Sequence, residues 1–243
     1  MNQPVIISAV RTPVGRYMGA LKEVEAYDLA SIVLKEVIRR AGIQPDQVDE
    51  VIMGQSYQNG EYVNIARMAL LQADWPESIP GLTIDRRCCT GLDVVRLAAS
   101  LIQSNQAEIV VAGGVESMSN AEFYLPGSIK WGIGGDKGRP RGHGDLSLWG
   151  LPFYDRIQRA RVMSQPEERY GVLPSMMSWA ETAAAEEKIS REECDAWALA
   201  SHQKAAAAYD AGIFDDLVTP WGEVSRDNNI KPGSTMEKLG SLR

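Results

Sequence analysis

The sequence has no apolar run approaching the roughly 18 residues that a membrane-crossing helix needs, so no transmembrane span is expected. It has only three cysteines and two histidines in 243 residues. These are too few and too dispersed for a zinc cage, so no metal site is expected. An odd cysteine count suits a reducing compartment, and a cytoplasmic location is expected. No basic segment precedes the first apolar run at Val5–Ala9, so a secretory leader is not expected either. Positive charge is in deficit: 25 Lys and Arg face 32 Asp and Glu, for a net charge of -7. That balance opposes whole-surface binding to nucleic acid but leaves room for a local basic patch that holds a phosphorylated ligand. What is present is a composition with 44% hydrophobic and 23% charged residues, which excludes collagen-like, mucin-like and disulfide-stapled chains.

The first 115 residues alternate short apolar runs with helical periods, the signature of an α/β fold. Val5–Ala9 reads as a buried strand, stopped by Arg11, Thr12, Pro13 and Gly15. Residues 25–41 read as a helix whose apolar face carries Tyr27, Ala30, Val33, Leu34, Val37 and Ile38. Arg39 and Arg40 suit its last turn, and Gly42 suits a left-handed cap. Residues 48–53 form a second candidate strand ending at Gly54, and residues 64–71 a short helix. Residues 82–84 and 109–112 supply two more strands, the latter ending at Gly113 and Gly114. Between them, residues 91–101 form a helix so uniformly apolar (Leu92, Val94, Val95, Leu97, Ala98, Leu101) that it should be central and covered on most sides.

The texture changes at residues 120–176. Gly132, Gly134, Gly135, Gly138, Gly142 and Gly144 crowd with Lys130, Lys137, Arg139 and Arg141, and no period survives. This is expected to be an inserted, loop-rich region, with function or an ordinary surface excursion as its two readings. His143 lies there as a candidate ligand contact. A long helix follows, opened by a capping box from Ser190 to Glu193. Cys194, Trp197, Ala198, Ser201, Ala205 and Ala208 should line its packed face, Cys194 should be buried, and His202 should be structural.

The chemistry concentrates at Cys88-Cys89-Thr90-Gly91, directly before the apolar helix and after Arg86 and Arg87. A cysteine at a helix N-terminus meets unpaired N–H groups and the positive end of the dipole, and both favour thiolate. A thiolate is a strong nucleophile that forms thioesters, and the same N–H groups can stabilise an oxyanion. The competing reading is a pair of inert core cysteines. Adjacent cysteines pair only with strain, so a disulfide between them is not expected.

These residues resemble a known family. Asp85-Arg-Arg-Cys88-Cys89-Thr90-Gly91 is similar to the nucleophile motif of the thiolases, Asn-x-x-Cys-Gly/Ala/Ser-Ser-Gly. Ile6 to Gly15 resembles their opening strand and turn, and Asn64-Ile-Ala66-Arg67 their Asn-x-Ala-Arg stretch. Ala112-Gly-Gly-Val-Glu116-Ser-Met-Ser119 resembles their Ala-Gly-Gly-x-Glu-Ser-Met-Ser motif. Ile189 to Asp195 with Ser201 to Ala205, and Pro232 to Leu239, resemble later family segments. The resemblance covers nearly the whole chain in order.

It implies a thiolase-like N-terminal α/β domain over residues 1–119, with a mixed sheet and a buried central helix, plus an inserted loop-rich helical domain over residues 120–243 that binds coenzyme A. It implies that Cys88 accepts an acyl group from a coenzyme A thioester, its own N–H contributing to an oxyanion hole. Ser175, Met176 and Lys231 would face coenzyme A, and basic residues of the loop region would meet its phosphates. Coenzyme A thioesters would be substrates, with no permanently bound cofactor. Expected partners are acyl-CoA and CoA, with a homo-oligomer or a chain supplying a C-terminal thiolase half, and neither nucleic acid nor membrane. The family's Gly-His-Pro histidine and second catalytic cysteine have no counterpart here, so this chain alone is expected to be inactive in the full reaction. Asp85, Cys89 and Thr90 depart from the motif. Ser175 and Met177 stand where many thiolases carry His and Gly, so the acyl pocket should differ. Two alternatives are a non-catalytic acyl-CoA-binding or assembly subunit and a relative of the ketoacyl synthases.

Overall fold

The computed structural model describes residues 2–127 and 153–242. They divide into two compact units, residues 1–120 with 177–243, and residues 121–176. Residues 177–243 thus group by contact with the α/β core, whereas the family resemblance groups them with residues 120–176. Lys130 to Gly144, including His143, lie outside the described residues.

The larger unit is built on a parallel sheet of β1 (Glu50–Gly54), β2 (Gly81–Ile84) and β3 (Val110–Gly114), in the order β2-β1-β3. Val51 pairs with Gly81 on one side and Val111 on the other, and the register runs unbroken to Gly54. As the central strand, β1 is buried on both faces, and its side chains alternate between two cores. Val51 and Met53 join the cluster made by α1 (Ala26–Ala41) and α2 (Ile65–Gln72), which includes Ala30, Leu34, Ile65 and Leu70. Ile52 points the other way, into a smaller cluster with Val94 and Ala98 of α3 (Thr90–Gln103). Each such fully buried aliphatic side chain contributes about 1.5–3 kcal/mol over its exposed state.

Local chemistry sets the helix ends. Gly42, at φ 72°, returns its N–H to the last turn of α1. Asn64 caps α2 by accepting the Arg67 N–H. Gly81 is needed for a different reason: a Cβ there would lie 2.7 Å from the Arg67 backbone nitrogen. On α1, Glu36 accepts hydrogen bonds from Arg39 and Arg40 at 2.6–2.7 Å. These hold its carboxyl down to about 2, from an ordinary 4.5. A depressed carboxyl gives stability that is complete above its unfolded value and is lost as pH falls through the folded one. The stability gap between wild type and Glu36→Gln should therefore close between pH 4.5 and about 2. Thermal melts across that range test this, and a gap that stays constant would contradict it.

Two expectations need correction. Residues 5–9 do not form a strand. Val5, Ile6 and Ile7 are 71%, 81% and 65% exposed, and the first ladder contact is the Arg11–Val218 bridge. Residues 4–10 and 109–113 line one cleft of about 500 Å³, so the two backbones stand apart instead of pairing. Apolar, β-branched composition marks a segment suited to burial, but it does not place an edge within hydrogen-bonding reach. Cover for α3 is met on one face only: Thr90, Val94 and Ala98 are buried, while Leu92 is 76% exposed.

The chain turns back on this core through α6 (Met176–Glu186), α7 (Arg191–Asp210) and α8 (Met236–Gly240). The capping box at Ser190 and Glu193 forms as expected. The packed face of α7 is not the expected one. Cys194 is exposed and Trp197 is 80% exposed, whereas Asp195 and Tyr209 are buried. Hydrogen bonds select this face: Arg191 donates to Asp195, and the Tyr209 hydroxyl accepts the Asp227 N–H. Asp227 in turn takes both Arg11 guanidinium nitrogens, at 2.7 and 3.1 Å.

In the smaller unit, β4 (Phe123–Tyr124) pairs antiparallel with β5 (Tyr154–Asp155), followed by α4 (Arg156–Val162) and α5 (Glu167–Tyr170). Three of its described arginines are engaged internally. Arg156 pairs with Glu122, Arg159 stacks 4.4 Å from the Tyr154 ring centroid, and Arg161 donates to the Leu173 carbonyl.

Candidate active site

Parallel strands point their carboxyl ends the same way, and open α/β sheets use that edge for ligands. Here the edge gathers Gln55 to Tyr57 after β1, Asp85 to Cys89 after β2, and Val115 and Glu116 after β3. The β2 exit also feeds the N-terminus of α3, so Cys88 sits where strand ends and a helix start meet. Its side chain is a free, exposed thiol.

Backbone bonds shape the turn around it. Cys89 N–H donates to the Arg86 carbonyl at 3.1 Å, and Thr90 N–H to the Arg87 carbonyl. Cys88 N–H donates to no group among the described residues. Buried Thr90 accepts the Arg86 N–H at 2.6 Å, closing the turn from within. Thr90 also presses on β1: a Cβ added at Gly54 would fall 2.3 Å from its Cγ2. Gly54 is therefore the small residue that lets α3 begin against the sheet.

Arg87, directly before Cys88, has φ 50°. A side chain in this left-handed region costs about 1–2 kcal/mol, so neighbours must hold it. Its N–H donates to Asp85 at 2.7 Å and its guanidinium to the Ser56 carbonyl at 2.8 Å, while its own carbonyl accepts the Ser56 hydroxyl at 3.3 Å. Glu116 accepts the N–H groups of Ser56 and Tyr57 at 2.9 and 3.2 Å. Burial pushes the Glu116 carboxyl above its ordinary range and the two N–H bonds oppose that, with nearby Asp85 raising and Arg87 lowering it further. Arg86 turns outward to Asp93, which it shares with Arg96.

The other residues singled out from sequence lie elsewhere. Lys231 is exposed, and its N–H donates to His202 Nδ1 at 3.3 Å. Ser175 is half-buried, immediately before α6, and Met176 is 68% exposed at its start. Met177 and Trp179 are exposed too. Gly54, Ser56 and Glu116 have no role that the sequence alone assigns. The only signals were a glycine ending a strand and a glutamate inside the Ala112–Ser119 motif. Among the described residues no cluster fit to hold a metal occurs, and no helix is long and apolar enough to cross a membrane.

Comparison with known proteins agrees with this geometry. A family model described as the thiolase N-terminal domain matches residues 4–243. A beta-ketoadipyl-CoA thiolase of Pseudomonas putida is 41% identical over 253 residues, covering 100% of this chain and 60% of that protein. An acetyl-CoA acetyltransferase of Escherichia coli is 39% identical over 251 residues, covering 100% and 59%. The crystal structure of the Bacillus anthracis acetyl-CoA acetyltransferase superposes with a TM-score of 0.84 at 35% identity, over 100% of this chain and 59% of that one. The chain spans about 60% of the length of these relatives. With this match along its length, the chain belongs to the thiolase family, in the part corresponding to the N-terminal domain.

Proposed function

We propose that this chain carries the acyl-accepting part of a thiolase-type acyl-CoA acyltransferase, with Cys88 as the nucleophile. Its sulfur attacks the thioester carbonyl of an acyl-CoA, and the Cys88 N–H stabilises the oxyanion that forms. The carbon–sulfur bond to coenzyme A breaks, the coenzyme A thiolate leaves and takes up a proton, and the acyl group stays on Cys88 as a thioester. A second acyl-CoA, stripped of its α-proton, then attacks that thioester to give a 3-ketoacyl-CoA, and thiolysis is the reverse. The base for that second half-step would come from a C-terminal thiolase half, in the same polypeptide or in a partner chain. Residues 120–243 would form the domain that holds coenzyme A, with Ser175, Met176 and Lys231 facing it. The acyl-CoA class follows from relatives named for beta-ketoadipyl-CoA and acetyl-CoA.

The observation that carries this reading is an exposed Cys88 with an uncommitted N–H, at a helix start on the carboxyl edge of the sheet. The test is to mix purified residues 1–243 with acetyl-CoA, and separately with a 3-ketoacyl-CoA plus CoA. The expected result is a single stoichiometric release of CoA from acetyl-CoA, without condensation or thiolysis. Sustained turnover at ordinary enzyme rates of about 1–10³ per second would contradict the need for a second half. No release at all would favour a non-catalytic acyl-CoA-binding subunit.

A further inference from the structure

Glu116 is a carboxylate that the acyl-transfer scheme leaves without a task, yet it stands one relay away from the nucleophile. It follows β3, and both N–H groups that it accepts belong to the turn after β1. Those groups lie beyond the β1–β3 ladder, whose last paired residues are Gly54 and Gly114. Without Glu116 these N–H groups, beyond the end of the ladder, would lose their acceptor and the turn its anchor. Ser56, held this way, grips Arg87 twice, at the guanidinium and at the carbonyl. Arg87 holds a left-handed backbone directly before Cys88.

The charge arrangement favours a positioning role over a binding one. Arg87 sits 3.9 Å from Asp85 and also acts on Glu116, so its charge is shared between two carboxylates already in the site. A guanidinium so engaged is poorly placed to attract a further anion.

We propose that Glu116 is a positioning residue for Cys88: by fixing the turn at Ser56 and Tyr57 it locks Arg87 in the conformation that presents the Cys88 thiol. This rests on Cys88 being the acyl acceptor. Removing the acceptor frees the turn, relaxes Arg87 out of its left-handed backbone and misaligns Cys88 with the start of α3. Glutamine keeps one carbonyl oxygen for the two N–H donors. A glycine at position 87 adopts the same backbone without help and removes the Ser56 grip, so it uncouples Cys88 from Glu116.

The experiment measures alkylation of Cys88 by limiting iodoacetamide in the 243-residue chain, resolved by peptide mass spectrometry, with exposed Cys194 as the internal reference. Glu116→Ala should slow Cys88 labelling about tenfold relative to Cys194, and Glu116→Gln should restore it to within about twofold. In an Arg87→Gly background, Glu116→Ala should cost less than about twofold. An Ala variant as reactive as wild type, a Gln variant as slow as Ala, or an equal cost in both backgrounds would overturn the proposal. Labelling of Cys194 that changes in step with Cys88 marks general unfolding and also overturns it. Failure of the underlying reading looks different: wild-type Cys88 would then take no acyl group from acetyl-CoA, whatever its alkylation rate.

Discussion

Cys88→Ala should abolish CoA release from acetyl-CoA, a loss of at least about a thousandfold, because the neighbouring Cys89 thiol has its own N–H committed to Arg86 and lacks that oxyanion donor. Cys89→Ala and Cys194→Ala should each release CoA within about threefold of wild type. The asymmetry is informative because all three thiols are free and exposed. Exposure alone would let any of them react. What separates them is backbone: the Cys89 N–H is committed to Arg86, whereas the Cys88 N–H is uncommitted and positioned to meet an oxyanion. Cys194 lies in the first turn of a helix too, but its N–H donates to the Ser190 carbonyl. If Cys89→Ala removed release and Cys88→Ala spared it, the assignment would move by one residue and the turn geometry would need a different explanation.

Gly54→Ala should be strongly damaging for so small a substitution. Its Cβ would sit 2.3 Å from Thr90 Cγ2, far inside contact distance, and the next atoms, Thr90 Cβ and Val94 Cγ1, lie at 3.5 and 3.6 Å. Strand β1 is fixed by ladders on both sides, so the strain falls on the start of α3. Overpacking of this kind costs about 1–3 kcal/mol, read as a drop in Tm, and should also slow Cys88 labelling. The offending atom is a single methyl group. Adding Thr90→Ser removes it while keeping the hydroxyl that accepts the Arg86 N–H, so the double variant should recover most of the loss. Recovery absent in the double variant would mean that the clash is not what couples β1 to the nucleophile turn.

Much of the α/β core was legible because periodicity reports local structure faithfully. The apolar stripe of α1 and the glycine after it, and the runs that became β1, β2 and β3, all follow from side-chain spacing and end chemistry. What spacing does not encode is the neighbour. Val5, Ile6 and Ile7 have strand composition, but pairing depends on an edge that stands across a cleft. The apolar surface of α3 predicts cover, and the described residues supply it on one side only. On α7 hydropathy pointed to Cys194 and Trp197, while hydrogen bonds chose Asp195 and Tyr209, which no hydrophobic pattern could rank.

The candidate site shows the same division. Cys88 could be singled out from its residue type and its place before a helix, and the motif around it pointed to the family. Glu116 was visible inside a recognisable motif, yet its link to the nucleophile runs through backbone groups of Ser56 and Tyr57, sixty residues away in sequence. Gly54 could be read as a strand terminator, but only the Thr90 contact shows why no larger residue fits.

The most direct measurement of the central claim is tandem mass spectrometry of the wild-type chain, quenched in acid seconds after mixing with acetyl-CoA. The account predicts an acetyl group on the sulfur of Cys88, removed by hydroxylamine as a thioester must be. Acetylation confined to Cys89 or Cys194, or a chain that emerges unmodified, would contradict it.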